Sequence, residues 1–342
     1  MVNIGIIGMG RMGIYHYELI SSTKGLNAVG ACDKSEKRKS DVKNKCGGLD
    51  LCLNIDEFLS IAEMDYVVVC TTNESHEELT IKALNKGKNV IVEKPMSISF
   101  ESAQRMVAAA EKNRKNLFVH HSTLWDRDYT FVRDTIKSGI LGKILVIQSR
   151  SMFWGEMWAG WGIDGMENPW RIKKEYGGGL LMDWGPHLIG QLLQIMNKKP
   201  AGVFGLLQSG LWASEVPDHF FSVLKFDDDL ICQIEASNNC RIAIPRWYVI
   251  GTKGTLVVPA FLSNVWDKVE VNYEKDDGKK EIINITLVGH PGGGLEPGFY
   301  DALVRYENGD KTVMVSMYDS LAGMKIMDMI KKSSQESRYI EY

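Results

Sequence analysis

No stretch of this 342-residue sequence is apolar for the roughly 20 residues that a membrane-spanning helix needs. No sign of charge dominates either: 40 basic against 43 acidic residues leave a net charge of −3, so bulk electrostatics give no reason to expect binding to nucleic acid or an anionic membrane. Cysteine is sparse and unpaired in sequence. The six (Cys32, Cys46, Cys52, Cys70, Cys232, Cys240) contain no C-x-x-C, which excludes a disulfide framework and fits a reducing compartment. The first residues, Met1–Gly8, lack the charged and long apolar regions of a secretory signal, so the expected location is cytoplasmic. Internal repeats, low-complexity tracts and a credible metal cluster are all missing. The acidic run Asp227-Asp228-Asp229 falls between two strand-like segments and reads as a hairpin turn, so no metal is expected.

What is present begins with Val2–Ile7, a β-rich apolar run that leads into Gly8-Met9-Gly10-Arg11-Met12-Gly13 and an amphipathic helix over Met12–Ser22. In this context G-x-G-x-x-G has a physical meaning. The first glycine permits a tight turn and the second lets a pyrophosphate approach. The third allows close helix–strand packing, and the helix N-terminus faces the anion. A second strand, Ala28–Cys32, ends at Asp33, about 20 residues past Gly13, where a carboxylate binds adenosine ribose hydroxyls and repels a 2′-phosphate. NAD is therefore the expected cofactor. NADP stays possible, because Lys34, Ser35, Lys37 and Arg38 follow at once, either as a solvated helix start or as partners of that phosphate.

Helices and strands continue to alternate: a short helix at Asp56–Ile61, a buried strand at Tyr66–Thr71, a helix to about Lys86, strand Asn89–Val92, helix Ser97–Asn113 and strand Leu117–His120. Ligands of doubly wound sheets sit at the carboxyl ends of strands. Thr71, Thr72, Asn73 and His76 fall at one such end, and Glu93, Lys94 and Pro95 at the next. The composition changes near His120, so residues 1–120 are expected to form a cofactor domain and residues 121–342 a substrate domain.

Beyond a helix at Asp126–Ser138 and a strand at Lys143–Arg150 lies the richest stretch, Gly177-Gly178-Gly179 followed by Asp183 and His187. On a helix, i and i+4 share a face, so the carboxylate can orient the imidazole as a proton-transfer base. The glycines would let this element approach the nicotinamide closely. Six of the nine tryptophans (Trp125, Trp154, Trp158, Trp161, Trp170, Trp184) surround this stretch and offer flat faces to a sugar ring, while Arg127, Arg150 and Arg171 offer forks for a carboxylate. Each taken alone is more often a core residue or a structural ion pair. From Asn197 the chain reads as strands and turns, with Gly292-Gly293-Gly294 as a loop. The methionines Met314, Met317, Met324, Met327 and Met329 read as core.

These motifs in this order resemble the Gfo/Idh/MocA oxidoreductases: the glycine turn; Thr72-Asn73-Glu74-Ser75-His76; Gly87-Lys88-Asn89-Val90-Ile91-Val92-Glu93-Lys94-Pro95; and Gly178-Gly179 through Asp183 and His187. The final helix, Ser316–Ile330, is similar too. The resemblance implies a Rossmann α/β domain followed by an α+β domain with a large, mostly antiparallel open sheet that pairs in homodimers or homotetramers. It further implies hydride transfer between NAD(P) and a secondary alcohol or ketone of a sugar, sugar acid or cyclic polyol. Lys94, Asp183 and His187 would handle the proton. Gly8, Gly10, Arg11, Met12, Gly13, Asp33, Lys34, Thr71, Thr72, Asn73, His76, Glu93, Lys94 and Pro95 would hold cofactor. Lys94, Trp125, Arg127, Trp161, Trp170, Arg171, Asp183 and His187 would meet substrate, and the Lys94–Pro95 bond would be cis. Relatives that oxidise transiently to cleave or eliminate, or that only sense a dinucleotide and sugar, are the alternatives.

Overall fold

The computed structural model describes residues 1–155, 170–242, 244–260, 265–288 and 298–342. Five short strands and one two-residue edge strand build the first sheet: β1 (Val2–Ile7), β2 (Leu26–Cys32), β3 (Leu51–Cys52), β4 (Tyr66–Val69), β5 (Asn89–Val92) and β6 (Leu117–Val119). Their order is β3-β2-β1-β4-β5-β6, and all pairings are parallel. The chain winds outward in both directions from the β1/β4 boundary, the switch point where such sheets leave a ligand crevice. Helices α1 (Arg11–Ser22), α2 (Arg38–Lys45), α3 (Ile55–Leu59), α4 (His76–Asn85) and α5 (Phe100–Asn113) cover its faces. Burial on both faces explains why β4 and β5 are Val/Ile runs rather than alternating ones.

The second unit carries α6 (Arg127–Ser138), β7 (Ile144–Met152), α7 (Leu180–Met196), β8 (Gly202–Gln208), β9 (His219–Lys225), β10 (Ile231–Ser237), β11 (Trp247–Gly251), β12 (Gly254–Val258), β13 (Val265–Glu274), β14 (Lys280–Val288), α8 (Gly298–Glu307), α9 (Met317–Glu336) and β15 (Ile340–Glu341). Its nine-stranded sheet runs β14-β13-β12-β11-β7-β10-β9-β8-β15, antiparallel except where β7 pairs with β10. Residues of β7, β9 and β10 alternate between buried and open, as one-sided sheets do. Helices α7 and α9 cover the inner face, and one apolar core continues through them into α5 and the first sheet. Asp227–Asp229 is the turn between antiparallel β9 and β10, as expected. Among the described residues no helix is long and apolar enough to cross a membrane.

Two expectations need correction. Helix α5 begins at Phe100, not Ser97, because Ser99 supplies the N-cap: its hydroxyl accepts the Ser102 N–H at 3.2 Å. The second is α8, which the sequence reading passed over. It sits far along the chain yet packs into the Rossmann core, where Phe299, Tyr300, Ala302 and Leu303 are buried with Ile4, Ile6, Tyr66 and Phe118. Truncating Leu303 to Ala is therefore expected to destabilise the cofactor domain by about 2–5 kcal/mol, read as a lower urea midpoint. An unchanged midpoint would show that α8 is only an appendage.

Candidate active site

The glycine turn follows from steric demands. Gly8 has φ +94°, and a Cβ on Gly13 would stand 2.1 Å from the Gly8 carbonyl oxygen, so helix α1 closes on the turn only with glycine there. No side chain caps the first N–H groups of α1 and no acid lies in its first turn, which suits an anion. Asp33 is held in place by the backbone it faces: its carboxylate accepts the Met9 N–H at 2.8 Å on one oxygen and the Ser35 N–H at 2.8 Å on the other. Arg38 starts α2 and pairs with Asp41 at 3.6 Å, which answers part of the ambiguity over the basic cluster. Lys34 and Arg11 are exposed beside the turn, and Met12 is partly buried. These residues fit a dinucleotide.

Five residues expected to touch cofactor have side chains bonded to other protein groups. His76 is fully buried, with Nδ1 at 2.9 Å from the Pro95 carbonyl and Nε2 at 3.3 Å from that of Thr71. It fixes the Lys94–Pro95 segment, whose peptide bond is cis as expected. The Asn73 amide donates to the Gly177 carbonyl at 3.0 Å, tying the cofactor domain to the glycine run. Glu93 is buried: one oxygen lies 2.9 Å from His16 Nε2 and 2.8 Å from His120 Nδ1, and the other accepts the Lys94 N–H at 3.0 Å. Thr71 and Thr72 hydroxyls bond to Ser75 and Glu74. His16, Glu93 and His120 have the composition of a metal site. Hydrogen bonds nevertheless account for their spacing, since His16 Nδ1 completes the set at 2.6 Å from the Tyr300 hydroxyl. Burial alone would raise the Glu93 carboxyl, but the charge and hydrogen bonds of His120 and His16 hold it well below the usual range.

Lys94 and Asp183 meet across the two domains. Lys94 Nζ lies 2.7 Å from Asp183 Oδ1 and 3.0 Å from its carbonyl oxygen. Asp183 and His187 share α7, but the hydrogen-bond partner of His187 Nδ1 is the Thr123 hydroxyl, 3.1 Å away, and not the carboxylate. The expectation that Asp183 orients the ring is corrected accordingly: Asp183 acts on His187 through space. Burial is the main cause that holds His187 well below its ordinary pKa; the Lys94 charge adds to this and Asp183 partly opposes it. Thr123 was missed. Its only sequence signal is a small hydroxyl residue on the turn just after β6.

The three glycines also serve another purpose than the one expected. A Cβ on Gly178 would lie 2.1 Å from the Arg171 carbonyl oxygen and 2.8 Å from that of Lys173, and one on Gly179 (φ +103°) would press on Val216 and Pro217. The close approach they permit is to the chain itself, at Gly178 to backbone carbonyls and at Gly177 and Gly179 chiefly to the side chains of Ile98, Val216 and Pro217. Trp170 and Arg171 do reach the site: with Asn73, Pro95, Gly177 and Asp183 they line one small recess, and the Arg171 guanidinium lies 4.4 Å over the Trp170 ring. Trp184 stands edge-on to His187 at 5.6 Å and to one side of Phe153 at 5.5 Å. Trp125 is engaged in packing under α8, with a Gly298 Cβ position 2.6 Å from its ring and Phe299 edge-on at 5.8 Å, so its expected substrate role is not what its contacts show. Arg127 is exposed at the start of α6. Arg150 lies 3.6 Å from Glu235, a structural pair. Trp158, Trp161 and Gly292–Gly294 lie outside the described residues.

A family model described as the oxidoreductase family, NAD-binding Rossmann fold, matches residues 2–121, and the GFO/IDH/MocA C-terminal domain matches residues 129–257. A 1,5-anhydro-D-fructose reductase from Ensifer adhaerens is 27% identical over 206 residues, which is 60% of this chain and 60% of the relative. A myo-inositol 2-dehydrogenase from Thermotoga maritima is 23% identical over 349 residues, covering 99% of this chain and 98% of the relative. Among solved structures, an NAD-binding protein from Listeria innocua superposes with a TM-score of 0.83 at 26% identity, over 99% of this chain and 96% of its own. The WlbA dehydrogenase of Bordetella pertussis, solved with NADH and UDP-GlcNAcA, shares the fold: TM-score 0.81, 20% identity, 100% of this chain and 98% of its own.

Two outcomes follow from the site. Gly178→Ala should cost roughly 1–3 kcal/mol, seen as a lower melting temperature, since backbone carbonyls cannot swing aside as a side chain can. The second concerns pH. Burial holds His16, His76 and His187 below their ordinary pKa, and draws His121 down to about 4. These rings stay neutral when folded and protonate on unfolding. Their stability contribution is thus whole above about pH 6.5 and is lost as pH falls toward the depressed folded values. For His121 alone the loss by pH 4 is about 3 kcal/mol. Melting temperature should fall from about pH 7 to pH 5; a flat profile would mean that the rings charge inside the fold.

Proposed function

This chain belongs to the Gfo/Idh/MocA oxidoreductase family and opens with its NAD-binding Rossmann domain, and from that premise we propose that it interconverts a secondary alcohol and ketone on a sugar, sugar acid or cyclic polyol. The observation that carries the reading is the Lys94–Asp183 pair beside a buried, neutral His187, at the carboxyl end of β5, the neighbour of the switch-point strand β4. Gly8, Gly10 and Gly13 would hold the pyrophosphate and Asp33 the adenosine ribose. The double anchoring of that carboxylate favours NAD over NADP. When bound, the nicotinamide supplies the hydride acceptor or donor.

The chain's own residues do the rest. Lys94 donates a hydrogen bond from Nζ to the reacting oxygen and stabilises charge that builds there. Asp183 holds the Lys94 side chain in place, its carboxylate 2.7 Å from Nζ. His187 accepts the hydroxyl proton in oxidation and returns it in reduction; its depressed pKa leaves it neutral and ready to accept at physiological pH. Trp170 and Arg171 border a small recess beside Asp183, and would offer a ring face and a guanidinium to a carbohydrate bound over it. Exposed apolar residues on the open sheet face, Leu206, Ile231 and Ile282, support pairing of copies there.

The test is absorbance in the NADH band with a panel of sugars, sugar acids and inositols, with NAD and NADP offered separately. Net NADH formation with at least one of them is expected, and product without net NADH would point instead to transient oxidation. With the substrate so found, Lys94→Met should cut turnover by roughly 10³-fold while NADH binding, followed by fluorescence, stays near the original. Undiminished turnover would remove Lys94 from the mechanism.

A further inference from the structure

We propose that Gln191 and Arg246, neither of which touches the reacting atoms, are positioning residues that set the tautomer of His187 by gripping Thr123. The inference concerns the same proton-transfer site, and so rests on the assignment of His187 as the base. Thr123 is held at two points. Its hydroxyl oxygen is 3.1 Å from His187 Nδ1, and its carbonyl accepts a hydrogen bond from Gln191 Nε2 at 3.0 Å. Gln191 lies four residues past His187 on α7, so ring and amide project from the same helix face toward the Ser122–Trp125 turn.

The orientation of the Gln191 amide is not free. Its oxygen accepts from Arg246 at 2.8 Å, and a guanidinium can only donate, so the amide nitrogen must point to Thr123. Arg246 is itself locked. It donates to Ser149 Oγ at 2.6 Å, its Nε stands 3.4 Å from Asp128 Oδ2, and it lies 4.7 Å over the Trp247 ring, whose indole N–H donates to that same carboxylate oxygen at 2.8 Å. All these groups are buried between α7, α6 and the sheet.

Such an arrangement is poor economy as a stabilising device. Desolvating an ion pair costs several kcal/mol, and a well-packed apolar replacement is often as stable or more so. Asp128 Oδ1 is even left buried without a hydrogen-bond partner. What the network does supply is a fixed position for one hydroxyl. A neutral imidazole has a single N–H. With Nδ1–H donating to Thr123 Oγ1, Nε2 keeps the lone pair that a proton acceptor needs. If Thr123 drifts, the more common arrangement with the proton on Nε2 takes over and the base is disarmed.

The tautomer can be read without turnover, so a chain that oxidised no carbohydrate would still report it. In the ¹⁵N-histidine-labelled full chain, long-range ¹H–¹⁵N correlation at neutral pH is expected to show His187 protonated at Nδ1, its signals identified by their loss in His187→Gln. Gln191→Met, which cannot hold the Thr123 carbonyl, should shift His187 toward the Nε2–H pattern. Thr123→Val should do the same, and Thr123→Ser, which keeps the hydroxyl, should retain the original pattern. Should Gln191→Met fail to fold, Gln191→Glu still accepts from Arg246 but cannot donate to Thr123, and the same shift is expected. An Nε2–H tautomer in the unmodified chain, or an unchanged one in a folded Gln191 variant, would overturn the proposal.

Discussion

The site depends on one ion pair, Lys94 with Asp183, because it is the point where the two domains share a charge. Each side chain is 17% exposed, so the pair is neither solvated nor fully dry. Removing either partner would strand the other's charge in a medium that solvates it badly. The pair is also fixed at its roots. The Lys94 backbone N–H donates to Glu93, and Asp183 sits in the first turn of α7, where the helix dipole favours a negative group. From this position the ammonium acts on its neighbour: with burial, it keeps His187 neutral. A base that is neutral when substrate arrives has the lone pair it needs, so the electrostatics of the pair and the chemistry of the imidazole are one arrangement.

Beneath that pair lies a second buried polar group with a different task. His16 belongs to α1, Glu93 and His120 lie at the ends of β5 and β6, and Tyr300 belongs to α8. Their hydrogen bonds join the helix that would receive the pyrophosphate, the strand that carries Lys94, and a helix that returns from far along the chain. The Glu93 carboxylate survives burial only because two rings donate to one of its oxygens. A single carboxylate thereby sets the spacing between the glycine turn and Lys94.

Much of this was legible in the sequence, for reasons that lie in short-range chemistry. Gly8, Gly10 and Gly13 announce their turn because only glycine permits it, and the Val/Ile runs of β4 and β5 announce burial on both faces. Lys94, Asp183 and His187 were found as residues with reactive groups in a recognisable order. What the sequence did not show was the direction of each side chain once tertiary packing chose. His76 and Glu93 look like cofactor ligands by position, yet they turn inward to hold backbone and imidazole groups. Thr123 is invisible beforehand because a threonine after a strand has no signature until a histidine 64 residues later comes to rest against it. Helix α8 did have a signal: Phe299, Tyr300 and Leu303 recur at helical spacing. The glycine-rich segment just before it drew the reading toward a loop.

The glycine run shows how a correct location can carry a mistaken cause. If Gly177–Gly179 existed to admit the nicotinamide, their neighbours would be empty space or ligand. Instead a Cβ at Gly178 would collide with the carbonyls of Arg171 and Lys173, and the Gly179 N–H donates to that same Arg171 carbonyl at 2.9 Å. The segment that brings Trp170 and Arg171 to the recess is thus bolted to Gly179, the N-cap of the helix that carries Asp183 and His187. The recess at Trp170 and Arg171 is mechanically coupled to the Asp183–His187 turn of α7 through these backbone groups. A larger side chain that shifts Arg171 must move α7, and with it the distance from Asp183 to Lys94. Changes in what the recess accepts are then least disruptive when they replace side chains without moving this stretch of backbone.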